Sequence, residues 1–220
     1  MSAYTESYVD AAEHLPEGST LVLPHIEWDD YEQLLDEIGK SRRLRAAYSE
    51  GRLEIVAPLP EHEEYGDVIL QLVRVMCREL GVKLETRGSM TIKVKAKGKG
   101  VEPDRCFYVT NAEAIIGKRT LDFSVDPPPD IAVEIDVTNE SLGKFDIYAA
   151  LGVPEIWRYD GETTEIYHLT ADAYRRSLNS MTFPFLTGDV LSSFLEMAKN
   201  LGQDEALDAF RSWVEKKKPR

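Results

Sequence analysis

The sequence predicts an α/β fold, a mixed sheet with helices packed on its faces. Three observations carry this reading. Strand-like and helix-like stretches follow one another as strands, long helix, strands, helix, strands, an order that calls for layers of both kinds. Between Glu61 and Leu80, Val68, Leu72, Val75 and Met76 make one helical stripe, which Ile69, Val73 and Leu80 widen. Ile131 to Val137 is apolar enough to be a central strand covered on both faces.

Residues 1–20 read as a loosely ordered lead-in. Asp29 to Ile38 has acids in its first turn, apolar residues at helical spacing and Gly39 as a stop. Leu44 to Ser49 and Arg52 to Ala57 form a hairpin around Glu50-Gly51, closed by Pro58 and Pro60. After the long helix and its stop at Gly81, Val82 to Thr86 and Met90 to Val94 are strand-like, and Lys95 to Gly100 reads as a polar loop. Cys106 to Val109 is a short strand, and Ser141 to Leu151 is a helix that Gly152 ends. Ile156 to Tyr159 and Glu165 to Leu169 pair around Asp160-Gly161, with Tyr174 to Leu178 as a further strand. Two helices, 190–200 and 203–217, follow on either side of Gly202. The expected division is an α/β domain over residues 1–188 and a helical extension, 189–220, packed on it.

With 43% apolar and 30% charged residues in 220, the composition is that of an ordinary globular chain. No apolar run is long enough to span a bilayer, and the N-terminus lacks the pattern of a secretory signal. Cys77 and Cys106 are distant and lack metal-ligand spacing, which fits a reduced, cytoplasmic setting. The net charge of −13 works against phosphate ligands, which ordinarily meet basic surfaces. Bases do cluster at Arg42, Arg43 and Arg45, and at Lys93, Lys95, Lys97 and Lys99. These either meet phosphate or guard solvated sheet edges. Lys216 to Lys218 with Arg220 suit a helix C-terminus and its frayed tail.

The chemistry gathers around Glu134. In a strand, Asp130, Ala132, Glu134 and Asp136 share one side, and a carboxylate there needs a partner or a metal to offset desolvation. A divalent cation would also relieve the repulsion between the acids. Mg²⁺ or Mn²⁺ is the natural candidate, held by Glu134, by Asp104 beside a separate strand, and by the main-chain carbonyl of Ile135. Lys144, about ten residues on, would orient or help deprotonate the attacking water and stabilise phosphate charge. From spacing alone, two plainer readings stand beside these: a solvent-facing helix lysine, and a Glu134 paired with an arginine. His62 and Glu64, on the first turn of the long helix, are secondary candidates for an approach to the metal. Tyr148 and Trp157 either stack bases or fill the core. Neither a G-x-S-x-G elbow nor a phosphate-loop motif is present.

Several of these stretches resemble one family. Glu50-Gly51-Arg52-Leu53-Glu54-Ile55-Val56-Ala57-Pro58, followed by His62, is similar to the opening of the Uma-type bacterial restriction-endonuclease-like proteins of the PD-(D/E)XK nuclease superfamily. Pro103-Asp104 resembles its first acidic motif and Pro129-Asp130-Ile131-Ala132-Val133-Glu134-Ile135 its second. Lys144-Phe145-Asp146-Ile147-Tyr148 and Gly152-Val153-Pro154-Glu155-Ile156-Trp157 resemble its helix and closing strand. The resemblance implies a restriction-endonuclease-like core in which Asp104 and Glu134 bind the metal. Lys144 would then replace the motif lysine, whose usual position, two after Glu134, is taken by Asp136. Asp136 either adds to the metal site or repels phosphate.

The expected activity is therefore a Mg²⁺- or Mn²⁺-dependent endonuclease hydrolysing DNA phosphodiester bonds, with no membrane association. A homodimer would supply the two active sites that double-strand cutting commonly needs. The alternative is a catalytically silent nuclease fold serving as a binding or assembly module. For that role Leu191, Phe194, Leu195, Leu207, Phe210 and Val214 would cover the core or a partner subunit. A phosphohydrolase of small nucleotides is a third reading, and it needs no basic groove.

Overall fold

The computed structural model describes residues 3–38, 44–137 and 142–217; Gly39, Arg42, Arg43, residues 138–141, Lys218 and Arg220 lie outside them. The lead-in is more regular than expected. It holds a helix, α1 (Ala3–Glu13), and a strand, β1 (Thr20–Leu23). α2 (Trp28–Ile38) buries Tyr31, Leu34, Leu35 and Ile38, the spacing of one helical face. β2 (Arg45–Ser49) and β3 (Arg52–Val56) turn at Glu50 (φ 49°) and Gly51 (φ 89°), the pair of left-handed residues a tight hairpin requires. β1 pairs antiparallel with β3 from Thr20↔Val56 to Leu23↔Leu53. That pairing partner is remote in sequence, so β1 has no local signal.

α3 (Pro60–Leu80) starts on a proline and ends where Gly81 turns left-handed. β4 (Glu85–Thr86) and β5 (Ile92–Val94) are shorter than the sequence suggests. Lys95 to Gly100, expected as a loop, is a 3₁₀ turn at Lys95–Lys97 and then β6 (Lys99–Val101), folded back on β5. The lysines hide this strand from a hydropathy reading because their charges are answered by distant acids: Lys93 by Glu32, Lys95 by Asp29 and Lys99 by Glu50. Lys97 donates to the Ala150 carbonyl. Of the two readings of this cluster, the structure has the sheet edge, since β5 ends its sheet. The chain continues through β7 (Arg105–Tyr108), α4 (Ala112–Ile115) and β8 (Ile131–Ile135). A 3₁₀ turn, Leu142–Lys144, leads into α5 (Phe145–Leu151), and β9 (Glu155–Tyr159), β10 (Thr164–Thr170), β11 (Ala173–Ser177), α6 (Gly188–Leu201) and α7 (Gln203–Lys217) follow.

The strands divide between two sheets. One is antiparallel, in the order β1-β3-β2-β6-β5; the other is mixed, in the order β11-β10-β9-β8-β7-β4, with β8 and β9 parallel. The chain crosses from the first to the second in three residues. Glu102 N donates to Ala46 O on β2 (2.9 Å), and Asp104 N donates to Val133 O on β8 (3.1 Å). Asp104 therefore stands at the seam. The main core lies between the mixed sheet and the helices, where Leu72, Val73 and Met76 of α3 join Val133, Trp157, Phe194 and Phe210 in one cluster. Leu191, Leu195 and Val214 belong to it and Leu207 packs against it, so α6 and α7 cover this core. Trp157 and Tyr148 are fully buried core residues and offer no stacking face. Among the described residues, no helix is long and apolar enough to cross a membrane.

Candidate functional site

Where β8 ends beside the seam, a cavity of about 200 Å³ is lined by His62, Asp104, Glu134, Ile135, Asp136 and Lys144, with Arg45 at its wall. Six of the seven site positions named from the sequence thus meet; Glu64 does not, being exposed on α3. Asp104 is fixed because its Oδ2 accepts the main-chain N–H of Ile135 (2.8 Å). Its carboxylate supplies the acceptor that a neighbouring strand would otherwise offer.

Glu134 is the last but one residue of β8, with only 1% of its surface exposed. Lys144 Nζ donates to its Oε2 at 2.7 Å, and the Tyr148 hydroxyl donates to Oε1. Lys144 and Tyr148 are four residues apart, so the turn entering α5 presents both on one side. Burial lifts the Glu134 carboxyl to about 7, against the pull of Lys144 and with the push of Asp104. Burial lowers Lys144 as well, but the charge of Glu134, then that of Asp104, outweighs it and holds the ammonium above its ordinary value. The Lys144 side chain is 16% exposed, so it is a half-buried cation turned to Glu134 rather than a solvent-facing one. His62, 5% exposed, has Nδ1 4.0 Å from Asp104 Oδ2 and no hydrogen bond at Nε2. Burial pushes its pKa down, so it is neutral near pH 7.

Glu134 and the two acids that flank β8, Asp130 and Asp136, have different partners. Asp130 lies at the far end of the strand, accepting from Val109 N, Asn111 N and Asn111 Nδ2. Asp136, in the position of the motif lysine, is held by Arg158, whose Nε approaches its Oδ2 to 2.5 Å. Arg158 stands opposite Glu134 in the β8–β9 register and also reaches Glu165 (3.3 Å). The charge at 136 is thus answered within the fold. Sequence reading missed Arg158 and the polar role of Tyr148, and it had Arg45 only as one of a basic cluster. An arginine on a strand gives no sign of what it will oppose until the register is known.

Among the described residues, no group of three or more His, Cys, Asp or Glu side chains is arranged to hold a metal ion. The chemistry of the donors nonetheless suits Mg²⁺ or Mn²⁺, which need only one or two carboxylates beside waters. Each ionised carboxylate has about four lone-pair directions, and the contacts above leave several on Asp104 and Glu134.

The profile of the Uma2 family, described as "Putative restriction endonuclease", matches residues 28–198. No curated protein matches the chain. A crystal structure of a "putative nuclease" from Anabaena variabilis superposes with a TM-score of 0.50 at 17% identity, covering 73% of this chain and 98% of that one. At that identity the likeness speaks for a shared fold, the restriction-endonuclease-like α/β core with flanking and C-terminal helices that the sequence predicted. The matched span takes in both hydrogen-bonded carboxylates, the lysine at their side and the strands that carry them. The chain belongs to the Uma2 family.

Proposed function

We propose that the chain is a divalent-metal-dependent endonuclease hydrolysing DNA phosphodiester bonds. The observation that carries this reading is the meeting of Asp104, from the seam between the sheets, with Glu134 and Lys144 in one buried pocket. Asp104, Glu134 and the Ile135 carbonyl would hold Mg²⁺ or Mn²⁺. Such an ion acidifies a bound water and polarises a phosphoryl oxygen. Lys144, kept protonated by Glu134, stabilises the charge that gathers on the phosphate and orients the water, and it does not take the proton. Arg158 cancels the charge of Asp136, so position 136 need not repel substrate.

The test is nicking of a supercoiled plasmid with Mg²⁺, Mn²⁺ or a chelator. Cleavage is expected with either ion and not with the chelator, and Asp104→Ala or Glu134→Ala should slow it about a hundredfold or more. Unchanged nicking in those variants would show that the site lies elsewhere. A second reading, a silent nuclease fold used for binding or assembly, is favoured by the net charge of −13 and by the pairing of Lys93, Lys95 and Lys99 with acids. Calorimetric titration separates the two, because a silent module should take up no Mn²⁺ at millimolar concentration.

A further inference from the structure

A second cavity, of about 640 Å³, adjoins the carboxylate pocket and shares Arg45 and Pro58 with it. Its size falls in the range of small-ligand sites. In its lining two guanidinium groups are bridged by one carboxylate: Arg45 Nη2 lies 2.5 Å from Glu63 Oε1, and Arg105 Nη2 lies 2.8 Å from Glu63 Oε2. The three members differ in freedom. The side chain of Arg45 is 7% exposed and also bound to the Leu44 carbonyl. That of Arg105 is 10% exposed and bound to the Asp104 carbonyl and to Asp67. Gly66 makes room for it, since a Cβ there would come within 3.2 Å of its Cζ. Glu63, by contrast, is half exposed on the first turn of α3 and can swing out to water.

Two fixed, largely desolvated cations bridged by one removable anion, with Asp67 staying on Arg105, make an exchange site for another anion. Two oxygens of a phosphate group can replace the two oxygens of Glu63, and guanidinium groups favour such forked contacts. Arg45 also ties this place to the metal pocket, its Nε standing 3.9 Å from Asp104 Oδ1 without a hydrogen bond of its own.

We propose that Glu63 is a stand-in for substrate: in the free protein it fills a phosphate subsite, made by Arg45 and Arg105, that takes a backbone phosphate of the nucleic acid strand beside the cleavage position. The proposal rests on the nuclease reading for the identity of its ligand, but not for the existence of the phosphate subsite. It is tested with Glu63→Gln, and with Glu61→Gln as a control of equal charge change on the same exposed turn. Binding is followed by fluorescence anisotropy of a short DNA duplex in chelator over a range of salt, and by titration with inorganic phosphate. Glu63→Gln should bind the duplex about tenfold more tightly than wild type, with a salt slope steeper by about one, and should gain affinity for inorganic phosphate. Equal gains in Glu61→Gln, or none in either variant, would overturn the proposal. A gain for inorganic phosphate without one for the duplex would overturn the assignment to a nucleic acid backbone. Plasmid cleavage by a wild-type protein whose Glu63→Gln variant gains nothing would leave the nuclease reading standing and remove this one. Phosphate gain in a protein that cuts no plasmid would do the reverse.

Discussion

Glu134 is a carboxyl group whose protonation changes near neutrality because it is buried. Its pKa of about 7 lies well above the ordinary 4.5, so between those pH values the folded chain keeps a proton that the unfolded chain has released. Stability from this group is therefore greatest at the acid end of the window and falls as pH rises through it. Thermal melting in chelator between about pH 5 and pH 8 should show a decline that Glu134→Gln flattens; an unflattened curve would mean that Glu134 is charged throughout. A second consequence concerns Arg158. Removing it takes the guanidinium partner from a buried Asp136, so Arg158→Met should cost about 3 kcal/mol in urea unfolding. The Asp136→Asn, Arg158→Met double variant should recover much of that loss, since the two effects are coupled. Asp104, Glu134 and Lys144 could be singled out in the sequence because the family motifs mark them, whereas the placing of Arg45 and Arg158 could not be read. Their roles arise from contacts across strands, and no local pattern encodes those.

The elements that the sequence marked best are those stopped by a backbone requirement. Gly81 and Gly152 end α3 and α5 in the left-handed region, and Glu50-Gly51 turns the β2–β3 hairpin. β1 and β6 went unread because one finds its partner across more than thirty residues and the other is disguised by lysines. The start of α6 shows a different kind of constraint. A Cβ on Gly188 would lie 2.0 Å from the Thr164 carbonyl of β10, and a main-chain oxygen cannot move aside. Gly188→Ala should force α6 off the sheet and cost about 3 kcal/mol or more, with near-ultraviolet circular dichroism reporting disturbed packing around Phe194 and Trp213. A well-packed, fully stable Gly188→Ala protein would contradict this account of how the C-terminal helices are seated. Glu155 braces the same region, fully buried on β9 and accepting from Trp157 Nε1, Met181 N and Thr182 N. Here a charged residue is part of the core, which a hydropathy reading counts as polar surface.

Across the whole molecule, the candidate metal ligands meet where the two sheets join. Glu102 is the last residue bonded to the antiparallel sheet, while Asp104 is bonded to β8, the strand that carries Glu134. An ion bound by both would favour the folded state, in which alone they meet. Mn²⁺ should therefore raise the melting temperature of the wild-type chain, by an amount set by its concentration relative to its dissociation constant, and leave Glu134→Gln close to its metal-free value. Equal shifts in both would place the ion outside this pocket. The α/β class was legible from element order alone, but the division into two sheets was not, because it depends on a three-residue crossing that resembles an ordinary loop.

The hydrogen bond from Ile135 N to Asp104 Oδ2 has an evolutionary consequence. Asp104 serves the sheet as well as any bound ion, so selection for folding alone is enough to retain it. A lineage that ceased to cut nucleic acid would keep an acceptor at this position long after losing catalysis. Asparagine is the natural substitute, because its side-chain oxygen still accepts the amide hydrogen while the negative charge is gone. On the proposed reading, a chain bearing Asn at this position would fold without cutting, and Asp104→Asn is the variant that separates the two roles.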